Sequence, residues 1–303
     1  MELLRTPDER FADIPEYPFA PNWADVSTPD DPEAPVIRVH YLDEGPADGT
    51  PILLLHGEPS WSYLYRTMIP VLVEAGYRCI APDQVGFGKS DKPTATDDYT
   101  YARHVEWMRQ LLCEHLDLRN VIFFGQDWGG LVGLRLLAEN PDRFDRIIVG
   151  NTGLPTGHGM SEAFDQWRTF SQTVDVLPIG MILQGATTTE LSDAVVAAYE
   201  APYPDESYKA GARIWPALVP VEPDDPAVAA NLAAWDVLRG WTKPLLTTFS
   251  DQDPVTGGGH RIFEREVPGA QGQPHVIIEG GGHFLQEDCG PLIAQTMVDW
   301  MAD

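Results

Sequence analysis

Asp127 lies in Asn120-Val121-Ile122-Phe123-Phe124-Gly125-Gln126-Asp127-Trp128-Gly129-Gly130, an apolar run that passes through Gly-x-Asp-x-Gly into an amphipathic stretch. A tight strand-to-helix bend of this kind lifts one side chain above a sheet and backs it with a helix N-terminus. Gly125 and Gly129 supply the room that the bend needs. The usual occupant is a serine, which requires a base to become nucleophilic. A carboxylate requires none. It is ionised at neutral pH and can displace a leaving group from carbon, forming an ester. That chemistry points to alkyl substrates and away from peptides and lipids. At an arbitrary strand-Asp-helix junction the aspartate would simply cap the helix, but the two glycines and the partners below favour the nucleophile.

Clearing such an ester takes water, a base and a group to orient the base. After the last strand-like run comes Glu279-Gly280-Gly281-Gly282-His283-Phe284, which holds a histidine on a glycine-rich loop. His283 is suited to proton transfer near neutrality. Between Asp127 and His283, the run Leu245 to Phe249 leads into Ser250-Asp251-Gln252-Asp253-Pro254. Either aspartate could orient His283; the spacing from the strand end and the following proline favour Asp253 over Asp251. The order nucleophile, acid, histidine is the one that accompanies a nucleophile on such a strand-to-helix bend. Earlier, Leu54-Leu55-His56-Gly57-Glu58-Pro59 ends a strand in a turn that frees the Glu58 amide. With the amide of Trp128, it would form a two-donor oxyanion hole for the tetrahedral intermediate.

The elements that must position these groups follow from periodicity. Val36 to Leu42, Pro51 to Leu55, Arg78 to Pro82, Val121 to Phe124, Arg146 to Gly150, Leu245 to Phe249 and His275 to Glu279 read as short strands. Tyr99 to Leu116 sets Val105, Met108, Leu112 and Leu116 at helical spacing. The alternation predicts an α/β fold with a mostly parallel central sheet flanked by helices. It stops near residue 155 and resumes near 241, with a proline-broken helical stretch between. Residues 1–154 and 241–303 are therefore expected to form one core, and 155–240 a helical cap inserted between strands, closing a pocket.

Composition limits the partners. The chain has 303 residues, 43% of them hydrophobic, enough for a large buried core. Its formal net charge of −26 disfavours nucleic acid and anionic membranes. Met1-Glu2-Leu3-Leu4-Arg5-Thr6-Pro7-Asp8 has neither a basic nor an apolar leader segment and no stretch could span a bilayer, so a cytoplasmic protein is expected. Cys79, Cys113 and Cys289 show no metal spacing and are expected to be reduced.

His56-Gly57-Glu58-Pro59-Ser60-Trp61-Ser62-Tyr63, Pro82-Asp83-Gln84-Val85-Gly86-Phe87-Gly88-Lys89-Ser90-Asp91-Lys92-Pro93 and Gln126-Asp127-Trp128-Gly129-Gly130 together resemble the haloalkane dehalogenases of the α/β-hydrolase superfamily. The N-terminal Arg5 to Phe11 and Tyr17 to Asn22, the segment Ala201 to Tyr208, and Gly282-His283-Phe284 carry the likeness across nearly the whole chain. The resemblance is to the subgroup with an Asp-His-Asp triad and two tryptophan indoles that hold the departing halide. It implies hydrolysis of a haloalkane to a primary alcohol, halide and a proton through an alkyl-aspartate ester, with no metal or organic cofactor. The implied partners are a small apolar halogenated substrate, water and the halide ion, in a monomer or weak oligomer.

Trp128 matches the first halide-binding position and Trp167, in Phe164-Asp165-Gln166-Trp167-Arg168-Thr169-Phe170, the second, with Trp215, Trp235 and Trp241 as other candidates. An indole N–H donates without accepting, so two of them can hold an anion in an apolar pocket. Trp61, Trp107, Trp235 and Trp300 read as core packing, and Phe164, Phe170, Leu177 and Pro178 as pocket lining. The rival in the same fold is an epoxide hydrolase, which would use cap tyrosines such as Tyr199, Tyr203 and Tyr208 as acids; Glu58 and Trp167 count against it. Gln126-Asp127-Trp128 departs from the Asp-Arg pattern of fluoroacetate dehalogenases. A non-catalytic binding protein of this fold typically lacks a triad member, and here all three are present.

Overall fold

Eight apolar runs pair into one sheet in the computed structural model, which describes residues 1–302. The strands are β1 (Asn22–Val26), β2 (Ile37–Glu44), β3 (Pro51–Leu55), β4 (Arg78–Pro82), β5 (Val121–Gln126), β6 (Phe144–Gly150), β7 (Leu245–Ser250) and β8 (Val276–Ile278). Their spatial order is β8-β7-β6-β5-β3-β4-β2-β1. β1, β2 and β4 pair antiparallel, and every pairing from β4 through β3 to β8 is parallel. Seven strands lie where the apolar runs predict them. The eighth, β1, was not foreseen: Asn22-Trp23-Ala24-Asp25-Val26 is a short edge strand that buries only alternate residues near its end, so its apolar signal is weak.

After β3 the chain steps outward to β4, then crosses back to place β5 on the other side of β3. The sheet's switch point is thus between β3 and β5, where ligands bind at the carboxyl ends of the strands. Ile52 pairs with Ile122 and Leu55 with Gly125, so the turns after β3 and β5 emerge side by side.

The helices are α1 (Ile69–Glu74), α2 (Tyr101–Arg109), α3 (Trp128–Glu139), α4 (Glu162–Thr173), α5 (Ile179–Gly185), α6 (Asp193–Glu200), α7 (Ala210–Leu218), α8 (Val228–Arg239), α9 (His260–Glu266) and α10 (Leu285–Ala302). The helix expected over Tyr99–Leu116 begins at Tyr101, capped by Thr100 accepting the Arg103 amide, and widens to π-helical turns over Gln110–His115. Two apolar layers cover the faces of the sheet. Phe123, Leu134 and Trp107 belong to one, and Phe124, Leu72 and Met297 to the other.

Helices α4 to α8 fill the stretch between β6 and β7. The expected insertion ran to residue 240, but α8 packs on α3 as part of the core. Asn231 accepts from Arg135 at 3.3 Å, and the Trp235 indole donates to the Leu154 carbonyl at 2.8 Å and stacks on Phe263. The N-terminal segment straps α6 to the core: the Thr6 hydroxyl donates to the Pro202 carbonyl at 2.6 Å, and Arg10 to Ala201 at 3.2 Å. Among the described residues, no helix is long and apolar enough to cross a membrane.

Candidate active site

Asp127 stands alone between β5 and α3 with φ 51° and ψ −129°. A non-glycine residue at positive φ is strained, and the neighbours must hold it there. They do so closely. A Cβ on Gly129 would sit 1.9 Å from the Leu55 carbonyl oxygen, and one on Gly57 would lie 2.6 Å from Asp127 Oδ1. The Asp127 amide donates to the Asn151 carbonyl at 2.9 Å, and the Thr152 hydroxyl donates to the Asp127 carbonyl at 2.7 Å. The strained turn is thus clamped between the ends of β3 and β6.

The Glu58 amide donates to Asp127 Oδ1 at 2.8 Å. The turn that aims it rests on a buried polar frame. His56 bonds the Gly57 carbonyl through Nδ1 at 2.9 Å and accepts the Gln84 amide at Nε2 at 3.0 Å, which settles it as a neutral brace. Burial lowers its pKa. Asp83, beside it, accepts the amides of Ser62 and Lys89, each at 2.7 Å, and pairs with His40 at 2.8 Å. The glycine-rich motif around Asp83 is therefore structural support for the Glu58 turn.

On the other side of Asp127, His283 Nε2 lies 3.5 Å from Oδ2, and His283 Nδ1 lies 3.0 Å from Asp253 Oδ2. Asp253 is buried, and accepts the Val255 amide at 2.8 Å, the Thr256 amide at 3.2 Å and the Thr256 hydroxyl. Burial opposes its ionisation, but His283 and these donors outweigh burial and hold the carboxyl at about 2. Burial likewise opposes charging His283, yet Asp253 and Asp127 raise its pKa to about 10. Asp251, the other candidate acid, is exposed and accepts the Gly280 amide at 2.8 Å. The structure brings Asp253 to His283 and leaves Asp251 on the outside of the loop.

A cavity of about 570 Å³ opens above Asp127. Its buried end is lined by Glu58, Phe164, His283 and Phe284, and its exposed mouth by Gln166, Phe170, Thr188 and Gln252. A second chamber, about 20 Å³, lies on the Trp128 side and shares Asp127, Phe164 and Val255 with the first. Trp167 lines the larger chamber and Trp128 the smaller.

Which indoles are free narrows the halide donors. Trp215 donates to His104, which burial keeps neutral, with a pKa of about 3. Trp235 donates to Leu154, Trp61 to the Ala198 carbonyl at 3.2 Å, Trp107 to Thr28 at 3.2 Å and Trp300 to Gln273 at 2.8 Å. Trp241 carries its buried, unpaired N–H beside Gly269 and Lys243, away from both chambers. Trp128 and Trp167 line the chambers at Asp127, and among the described residues neither indole N–H meets an acceptor.

Phe164 and Phe170 are on the cavity wall as expected, whereas Leu177 and Pro178 are not. Leu177 is turned wholly inside the cap, its amide on Glu206 at 3.2 Å and its carbonyl accepting from Lys209 at 2.7 Å. Pro178 precedes α5, and it is the far end of that helix, at Ile182 and Ala186, that reaches the cavity. None of Tyr199, Tyr203 and Tyr208 lines either chamber; Tyr199 donates to Glu287, which also holds Arg66.

Two residues escaped the sequence reading. The Glu58 side chain, not only its amide, faces the cavity with both oxygens buried and unpartnered. Burial, reinforced by the Asp127 charge, pushes its pKa well above the usual carboxylate range. Asn151, at φ 41°, donates to the carbonyls of Gly282 at 2.9 Å and His283 at 3.0 Å and accepts the Ser250 amide at 2.9 Å. It thereby binds the ends of β6 and β7 to the histidine loop. Its only sequence signal is its place just after a strand.

Comparison with known proteins agrees with this architecture. A family described as alpha/beta hydrolase fold matches residues 50–174. The haloalkane dehalogenase of Psychrobacter cryohalolentis is 57% identical over 100% of this chain and 99% of its own, and that of Mycobacterium marinum 52% identical over 99% and 100%. Among solved structures, the tetrameric haloalkane dehalogenase DpaA from Paraglaciecola agarilytica NO2 superposes with a TM-score of 0.89 at 37% identity, covering 98% of this chain and 97% of that one. With more than half its residues shared from end to end, this chain belongs to the haloalkane dehalogenases and has their α/β-hydrolase fold.

Proposed function

We propose that this enzyme, whose family reaction is the hydrolytic dehalogenation of haloalkanes, works through a covalent ester on Asp127. The observation that carries the reading is the line of groups Asp253, His283 and Asp127, at 3.0 and 3.5 Å, beside two adjoining chambers that are lined by Trp167 and Trp128 respectively. Asp127 attacks the halogen-bearing carbon in line, the carbon–halogen bond breaks, and the halide leaves with the bonding pair toward Trp128 and Trp167. Water then adds to the ester carbonyl as His283 takes its proton, and the oxyanion is met by the amides of Glu58 and Trp128. The intermediate collapses as the departing alkoxide takes the proton from His283 to become the alcohol, and the acid left on Asp127 gives its proton to solvent, restoring the carboxylate. An epoxide hydrolase would need acids over the substrate oxygen, and Tyr199, Tyr203 and Tyr208 line neither chamber. Weak self-association belongs to the same proposal, supported by the tetrameric relative.

Trp167→Phe keeps most of the bulk and deletes the N–H. A hydrogen bond to a charged group is worth about 1.5–3 kcal/mol, so turnover of chlorinated and brominated alkanes should fall by a factor on the order of 10–100. Bromide should quench tryptophan fluorescence saturably in the wild type and more weakly in the variant. Normal turnover by Trp167→Phe would remove Trp167 from the halide site.

The larger chamber also bears on substrate. A cavity of about 570 Å³ is of the size that holds drug-sized ligands, far above the need of a two-carbon dihalide. Each methylene buried is worth about 0.8 kcal/mol, so kcat/KM should climb up to about fourfold per carbon from 1-bromopropane to 1-bromohexane. A series that is flat or falling from the start would show that the outer chamber does not bind the chain.

A further inference from the structure

Asp288 lies in the first turn of α10, five residues after His283, and its carboxylate joins two parts of the molecule far apart in sequence. It accepts the amide of Gly282 at 2.8 Å. It also accepts the amides of Thr188 at 3.0 Å and Thr189 at 2.8 Å, in the segment between α5 and α6 of the insertion. Three backbone donors converge on one half-buried carboxylate, two from the cap and one from the histidine loop.

Further bonds run along the same seam. The Ala186 carbonyl accepts the amides of His283 at 2.8 Å and Phe284 at 3.3 Å, and the Thr188 hydroxyl donates to the Gly280 carbonyl at 2.5 Å. A Cβ on Gly282 would come within 2.6 Å of the Ala186 oxygen, so the two segments are in direct contact. Neither belongs to a helix or strand, and no regular ladder holds their amides. Charge-assisted bonds to Asp288 take that place, and these are roughly twice as strong as neutral ones. Thr187, Thr188, Gly282 and His283 all line the cavity, so the seam is also its wall.

We infer that Asp288 is a positioning residue for the second half-reaction: by bonding the Thr188–Thr189 segment to the His283 loop it fixes where the imidazole meets the attacking water. The role rests on His283 as the base of ester hydrolysis. The groups of the first half-reaction are held independently of Asp288. Asp127 is set by β3, β5 and β6, Trp128 by α3, and Trp167 by α4. Misplacing a catalytic group by about 1 Å can cost on the order of 10²-fold.

The test is rapid-quench kinetics with 1-bromobutane, following bromide and the alkyl-enzyme by mass spectrometry. In Asp288→Ala the bromide burst should stay within about twofold of wild type while ester hydrolysis slows about tenfold or more, so that alkyl-enzyme accumulates and kcat falls. Asp288→Asn, which keeps one acceptor oxygen and the side-chain shape, should lie between the two and guards against a misfolded alanine variant. Thr188→Val, which removes only the bond to Gly280, should shift hydrolysis in the same direction by less. Equal slowing of burst and hydrolysis would assign Asp288 to general stability and overturn the inference, as would unchanged hydrolysis in both Asp288 variants. Wild-type turnover with no covalent intermediate at all would instead overturn the ester mechanism beneath it.

Discussion

A His283→Phe enzyme mixed with a brominated alkane should release one equivalent of bromide and then stop, with the alkyl group retained on Asp127. The phenyl ring occupies the space of the imidazole but cannot take a proton from water, so only the second half-reaction is lost. Asp127→Ala removes the attacking atom and should release no bromide above background. The contrast is all-or-none in the peptide containing Asp127, which should carry the mass of the alkyl group in the first variant. An unmodified Asp127 peptide after a bromide burst would sink the covalent mechanism, even with the triad geometry intact.

Replacing Asp253 by Asn should also let the ester form, and should slow its hydrolysis by a factor on the order of 10³ or more. The carboxylate 3.0 Å from Nδ1 fixes the ring's tautomer and stabilises the imidazolium that forms as water attacks. An amide of the same shape does neither. The pH dependence should change in a defined sense. His283 is held protonated up to about 10, with burial opposing and Asp253 as the foremost support. Without Asp253 its pKa must fall, so the residual hydrolysis should reach its plateau at lower pH than in the wild type. Asp251→Asn, which disturbs only a surface bond to Gly280, should change hydrolysis less than tenfold. A reversal of severity between the two variants would move the acid to Asp251.

The legible part of this protein was the part encoded locally. The run into Gly125 and the glycines at 129 and 130 mark a strand, a bend and a helix in one short stretch, and the glycine spacing is demanded by atoms within 2.4 Å of where a side chain would stand. The triad and the turn at Glu58 follow chain order at the ends of successive parallel strands, which periodicity reveals. The cap was less legible because its helices are amphipathic against one another as well as against the core. Period alone could not say that Leu177 turns inward while Ile182 faces the cavity, nor that α8 belongs to the core. The choice among tryptophans was of the same kind. Whether an N–H is free depends on a carbonyl or histidine brought in by the fold, as His104 is to Trp215. The buried Glu58 carboxyl and the Asn151 and Asp288 ties are invisible in one dimension because each arises from burial or from partners distant in the chain.

In the proposed ester mechanism, the 3.5 Å between His283 and Asp127 sets the order of the two half-reactions. In the resting site a cation stands between two anions, and a charge pair about 4 Å apart is worth on the order of 4 kcal/mol near a protein surface. The two carboxylates therefore favour the proton-bearing form of the histidine before the ester forms. Alkylation neutralises Asp127, and its charge leaves with the halide. From that moment the ring has one counter-charge instead of two, and its proton becomes easier to lose. The first half-reaction thus prepares the ring to pass its proton to solvent and act as the base for the second.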